Sequence, residues 1–133
     1  ELGASGGVNY RQEDWPARLR EMMGKADLVI DGAAGPGFVH LIELTNLGGR
    51  IVNFGVTAGV VPELAMRAVF SRQMDIRGTT MGSPRDFAGL LALYGEHRLR
   101  PVIDRIYPLA SAGEALERME KGEQFGKIVL AIP

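Results

Sequence analysis

Side chains able to do chemistry are few and scattered. The sequence holds two histidines and no cysteine, which excludes thiolate nucleophiles, disulfides and cysteine-ligated zinc. His40 sits among Phe38, Val39 and Leu41 in a helical pattern, and His97 precedes Arg98 near a helix end. Neither has a partner at the spacing of a metal site or a catalytic triad, so both read as core or surface histidines. Ser71, Ser83 and Ser111 lack the context of a nucleophile elbow, and the last two are better explained as helix caps. Asp27 and Asp31 lie at opposite ends of one apolar run, too far apart to share an acid/base site, and read as solvated strand-end residues. Glu114, Glu117, Glu120 and Glu123 recur at every third position beside Arg118 and Lys121, the pattern of an exposed helix face. No self-contained catalytic constellation emerges.

Three glycine-containing loops carry the remaining interest. Gly32-Ala33-Ala34-Gly35-Pro36-Gly37, Phe54-Gly55-Val56 and Thr80-Met81-Gly82 each follow a short apolar or β-branched run. In open α/β sheets the carboxyl ends of the strands are where ligands bind, and glycine there admits close approach of a ligand to the backbone. A tight strand-to-helix turn explains the same glycines equally well. The first loop reads G-x-x-G-x-G, the reverse of the dinucleotide fingerprint, and neither G-x-G-x-x-G nor a Walker loop occurs in the sequence.

The elements that must position these loops follow from periodicity. Residues 26–31, 50–54 and 75–80 read as strands, with Gly48-Gly49 opening the second. Helices are expected from Asp14 to Gly24, from Pro36 to Leu47 with the glycine pair as its stop, and from Pro62 through Val69. Ser83-Pro84-Arg85-Asp86 and Ser111-Ala112-Gly113-Glu114 read as capping boxes for two further helices, the second stopped by Gly122. Strands alternating with helices at this spacing make an α/β chain with a parallel sheet.

Composition agrees. The 133 residues are 46% hydrophobic and 23% charged, with 15 basic against 16 acidic side chains for a net charge of −1. These values are those of an average globular domain. Balanced charge without a basic run leaves no nucleic-acid footprint. No stretch approaches a membrane span and no signal-peptide pattern opens the chain, so a cytoplasmic protein is expected. Glu1 in place of an initiator Met points to a processed or excised piece of something longer.

Several short strings, in order, carry a more specific signal. Leu2-Gly3-Ala4, Val8 to Asp14, Ala26 to Asp31, Gly48 to Gly55, Ile76-Arg77-Gly78, Pro101 through Tyr107-Pro108-Leu109 to Ala115, and Phe125 to Leu130 together resemble the medium-chain dehydrogenase/reductase superfamily, on its quinone oxidoreductase and zinc-binding dehydrogenase side. The resemblance covers essentially the whole chain. It implies a single domain over 1–133, the C-terminal portion of an NAD(P)-binding Rossmann-like domain without the first strands and the glycine fingerprint. The fold implied is a partial parallel sheet, strands 4-5-6 of the doubly wound order, flanked by helices and followed by a C-terminal return segment. Strand 4 is then left with an apolar, unpaired edge, and a homodimer or swapped assembly through sheet edges is expected.

Carried over by position, the resemblance implies cofactor contacts at Gly32 and Ala33, at Phe54, Gly55 and Val56, and at Met81 and Gly82. Tyr10 matches a tyrosine that approaches the 2′-phosphate of NADPH, with Arg11 as its charge partner; an aromatic packed on the sheet from a short strand is the equal alternative. The implied function is part of an NADP(H)-dependent oxidoreductase, NAD(H) being the other choice, that moves hydride between nicotinamide and a carbonyl, enone or quinone substrate. No zinc ligands are expected in this chain, and no turnover by the chain alone. The competing readings are a noncatalytic α/β dimerisation module and a domain for another nucleotide-like ligand such as S-adenosylmethionine.

Overall fold

The structure, a computed structural model, describes residues 3–133. Glu1 and Leu2, the latter part of the first matching string, lie outside the described residues. The chain divides into two compact units, one ending at Met81 and the other beginning at Gly82.

The first unit alternates helix and strand: α1 (Trp15–Met23), β1 (Ala26–Asp31), α2 (Phe38–Leu44), β2 (Thr45–Asn53), α3 (Met66–Ser71) and β3 (Asp75–Gly78). Its strands form one parallel sheet in the order β1-β2-β3. Val29 faces Ile51 across the first pairing and Ile51 faces Ile76 across the second. The core sits under the central strand, where Phe38 and Ile42 of α2 meet Ile51, with Val29, Val69, Met74 and Ile76 packed around them. This is the parallel arrangement expected for the family's strands 4-5-6.

Element boundaries depart from the periodicity in instructive ways. The helix expected over Pro36–Leu47 spans only Phe38–Leu44, and β2 begins at Thr45 rather than Arg50. Thr45 is extended, fully buried, and donates its hydroxyl to the Leu41 carbonyl at 2.6 Å. Arg72 donates to the carbonyls of Ile42 and Thr45, so a residue distant in sequence closes the helix end that local signals would have prolonged. Gly48 (φ +70°) and Gly49 therefore lie inside β2, at the register jump between Ala26 and Leu28, and do not stop a helix. The helix expected from Pro62 starts only at Met66, because Ala65 has a non-helical backbone (ψ 75°) and no side-chain acceptor to cap a longer one. The third strand stops at Gly78, short of the expected Thr80.

The second unit holds α4 (Pro84–Glu96), β4 (Ile103–Pro108), a single 3-10 turn, α5 (Ala112–Glu120) and β5 (Lys127–Ala131), with β4 and β5 parallel in a two-stranded sheet. The first capping box forms as read: Ser83 Oγ accepts from the Asp86 amide at 3.2 Å and the Asp86 carboxylate accepts from the Ser83 amide at 2.8 Å. The second does not. Ser111 belongs to the 3-10 turn (ψ 23°) and makes no side-chain cap bond, since the extended backbone of an N-cap is lost there.

Arg118 is likewise no ordinary exposed helix residue. Its guanidinium grips Asp104 of β4 through Nε at 2.7 Å and Nη2 at 3.0 Å, and Asp104 also accepts the Phe125 amide at 3.1 Å. The Arg118 hydrogen bond and the Phe125 amide outweigh burial and hold the Asp104 carboxyl at about 2, against an ordinary 3.8. A carboxyl lowered by folding stabilises the folded state above its ordinary value and ceases to do so as it protonates. The second unit should therefore lose stability as pH falls from about 4 towards about 2. Asp104→Asn should flatten that slope when unfolding midpoints are measured across this range.

Among the described residues no helix is long and apolar enough to cross a membrane.

Candidate functional site

The loops leaving β1 and β2 begin side by side because parallel register pairs Asp31 with Asn53, the last residue of each strand. Asp31, expected to be solvated, is instead buried. Its carboxylate accepts the amides of Ala33 and Ala34, each at 3.0 Å, and the Asn53 side-chain amide at 2.7 Å. These three N–H donors replace the water the carboxylate gave up on burial, which is why a charged residue is tolerated there. The same Asn53 nitrogen donates to the Gly55 carbonyl at 2.8 Å. Asp27, at the opposite end of β1, is exposed as read and accepts from Asn46 at 2.7 Å.

Past these residues the two loops interlock through backbone. The Ala58 amide donates to the Ala33 carbonyl at 2.8 Å and the Gly35 amide to the Gly59 carbonyl at 2.9 Å. The glycines make room for this. A Cβ on Gly55 would lie 2.6 Å from the Gly32 carbonyl oxygen, and one on Gly32 would lie 2.8 Å from the Phe54 ring. In this state the space left by those two missing side chains is taken by the neighbouring loop.

A pocket of about 650 Å³ opens beside the first loop, between the start of α2 and the segment ahead of α1. Asp31, Ala33 and Ala34 line it together with Tyr10, Arg11 and Glu13, and Trp15, His40 and Ala58 are among the other lining residues. The volume lies in the range of small-molecule sites. The Trp15 and His40 rings meet edge to face, with centroids 5.6 Å apart, and His40 Nδ1 lies 3.7 Å from Glu43. The aromatic rings suit a flat heterocycle, and Arg11 is the one guanidinium among the lining residues, set against the carboxylates of Glu13 and Asp31.

The expected site residues distribute as follows. Tyr10 and Ala33 line the pocket together. Tyr10 lies in a turn and is 67% exposed, so the alternative of a strand aromatic packed on the sheet does not hold. Gly32 and Gly55 belong to the loop interlock, with Phe54 and Val56 exposed beside it at the end of β2. Met81 is 95% exposed in a left-handed conformation (φ +54°), and Gly82 lies just ahead of α4. Trp15, His40 and Ala58 were not singled out as site residues. For Trp15 and His40 the signal is helical spacing, which equally describes core positions. Ala58 has no local signal, since only the fold brings it to Ala33.

The profile of the zinc-binding dehydrogenase family matches residues 2–130. The chain is 34% identical over 142 residues to the zinc-type alcohol dehydrogenase-like protein YogA of Leptosphaeria maculans, covering 99% of this chain and 39% of that protein. It is 26% identical over 133 residues to an alcohol dehydrogenase of Geobacillus stearothermophilus, with the same two coverages of 99% and 39%. A solved NAD-dependent alcohol dehydrogenase superposes with a TM-score of 0.87 at 36% identity, over 98% of this chain and 39% of that one. The chain thus spans about two fifths of the length of these relatives. The residues present do not fit a zinc ion: the sequence has no cysteine, and among the described residues no three His, Asp or Glu side chains gather to hold a metal. A profile that matches nearly every residue, together with a parallel sheet in the expected order, establishes that the chain belongs to the zinc-binding dehydrogenase family of medium-chain dehydrogenases/reductases, as a C-terminal cofactor-binding part.

Proposed function

We propose that the chain is the cofactor-holding part of an NADP(H)-dependent oxidoreductase acting on a small carbonyl, enone or quinone substrate. The observation that carries this is the pocket that Tyr10 and Arg11 line together with Ala33 and Ala34 at the carboxyl end of β1. When bound, the nicotinamide supplies hydride at its ring C4; the protein's part is to hold and orient. Arg11 offers the charge for a phosphate and Tyr10 a hydroxyl donor beside it, while the interlocked loops keep Ala33 and Ala34 at a fixed height. Phe54, Gly55 and Val56 after β2, with Met81 after β3, are assigned to the nicotinamide end, and Gly82 stays a cofactor contact implied by the resemblance alone. Lacking a glycine fingerprint to seat the pyrophosphate, the chain is expected to bind without turning over.

Fluorescence titration of the chain with NADPH and with NADH tests the reading. Saturable binding with NADPH preferred is expected, and Tyr10→Phe should weaken NADPH by about tenfold while sparing NADH, the loss typical of one hydrogen bond to a charged group. Absence of saturable binding by either cofactor, or equal losses for both in the variant, overturns it. Competition by S-adenosylmethionine would redirect it to another nucleotide-like ligand.

The second reading, pairing of two copies, rests on the free edge of β1, where Leu28 and Ile30 are exposed. Light scattering on the titrated sample decides it, a monodisperse monomer being the refuting result. A cytoplasmic location is part of the same proposal.

A further inference from the structure

The Asn53 side-chain amide links the end of β1 to the loop after β2 from a single nitrogen. It donates to the Asp31 carboxylate at 2.7 Å and to the Gly55 carbonyl at 2.8 Å. Asp31 in turn fixes the Ala33 and Ala34 amides. A continuous path of hydrogen bonds therefore runs from the loop after β1, through one carboxylate and one carboxamide, to the loop after β2. Among the described residues no cationic side chain pairs with Asp31, so its charge is held by N–H donors alone. The arrangement is specific in its chemistry. A carboxylate has the lone pairs to accept three donors, and a carboxamide NH2 group donates in two directions from one atom without adding a charge.

We propose that Asp31 and Asn53 form a positioning pair that sets the spacing of the two loops and thereby the cofactor affinity of the site. Neither residue is assigned to the reacting atoms. Asp31 lines the pocket, whereas Asn53 acts through Asp31 and Gly55. The inference rests on the cofactor reading above and deepens it. Side-chain pairs also join the strands at their amino ends, Asn46 to Asp27 at 2.7 Å and Arg50 to Asp75 at 2.8 Å, whereas at the carboxyl ends of β2 and β3 the Thr79 amide donates to the Asn53 carbonyl at 3.0 Å. The Asn53–Asp31 link differs from these in lying at the carboxyl end of its strands, where Asp31 lines the pocket.

The test uses the chain and its Asn53→Ala and Asn53→Asp variants, with NADP+ as the probe in calorimetry at pH 8 and pH 5.5. Affinities are taken relative to the unaltered chain at each pH, because Arg11, Glu13 and His40 line the same pocket. Asn53→Ala should bind about tenfold more weakly at both pH values, the usual loss for a hydrogen bond to a charged group. Asn53→Asp should bind at least as weakly at both pH values, because two carboxylates then face each other and no atom at position 53 can donate to Asp31 and Gly55 together. A role confined to general stability predicts faster hydrogen exchange throughout the sheet, whereas a positioning role predicts it at the Gly35 and Ala58 amides that tie the loops. Unchanged affinity in either variant overturns the proposal, and the isosteric Asn53→Asp variant serves if Asn53→Ala fails to fold. If the unaltered chain binds neither NADP+ nor NADH, the cofactor reading fails instead. The pair is then judged by hydrogen exchange at the Gly35 and Ala58 amides. Faster exchange in Asn53→Ala upholds it and unchanged exchange overturns it.

Discussion

Gly35→Ala is expected to lower the unfolding free energy of the chain by about 2–4 kcal/mol, which combines steric overpacking with a strained backbone. Gly35 has φ +70°, and a Cβ there would lie 2.6 Å from the Ala58 carbonyl oxygen and 2.9 Å from the Ala58 Cβ. Neither atom is the end of a flexible side chain, so relief requires one loop to move. Such movement also breaks the Gly35 amide bond to Gly59 that ties the loops together. Gly48→Ala is the matched comparison: φ is +70°, but nothing lies within 4 Å of the new Cβ. Only the backbone strain acts there, about 1 kcal/mol. Urea titrations of both variants separate the two contributions, and equal losses would show that the Ala58 contact carries no weight.

The second large effect is expected at Ile51→Ala, about 3–4 kcal/mol, within the range for truncating a buried isoleucine. Ile51 is wholly buried on the central strand, in register with Val29 and Ile76, and touches Phe38 and Ile42. Strands on both sides and a helix above leave little freedom for the cavity to collapse. Ile30→Ala, on the free β1 edge where the side chain is 61% exposed, should lose less than about 1 kcal/mol by the same measurement. A loss at Ile30 equal to that at Ile51 would contradict the burial described for β1.

What could be read from the sequence was what its local signals encode. Ser83-Pro84-Arg85-Asp86 contains its whole capping box, and α4 begins where it reads. The β1-β2-β3 order followed from the resemblance and from strand runs whose apolar content matches their position. Features that depend on distant partners were illegible. The end of α2 is decided by Arg72, the burial of Asp31 by Asn53, and the role of Arg118 by Asp104. Within the site, the glycine loops were visible but not what fills them. Gly32 and Gly55 look the same whether a ligand or a neighbouring loop takes the place of the missing side chain, and only the fold shows Phe54 and the Gly32 carbonyl there.

Among the described residues every strand pairing is parallel: β1 with β2, β2 with β3, and β4 with β5. No partner strand can be reached through a tight turn, and each pairing waits for a crossover to close. Folding should accordingly be slow for a chain of this size, because loop-closure entropy must be met before any ladder bond forms. Crossover length then acts on rate more than on equilibrium, since doubling a loop costs only about 0.6 kcal/mol. While β1 waits, Leu28, Val29 and Ile30 stand as an unpaired apolar run, and concentration during synthesis or refolding decides whether it finds β2 or another chain.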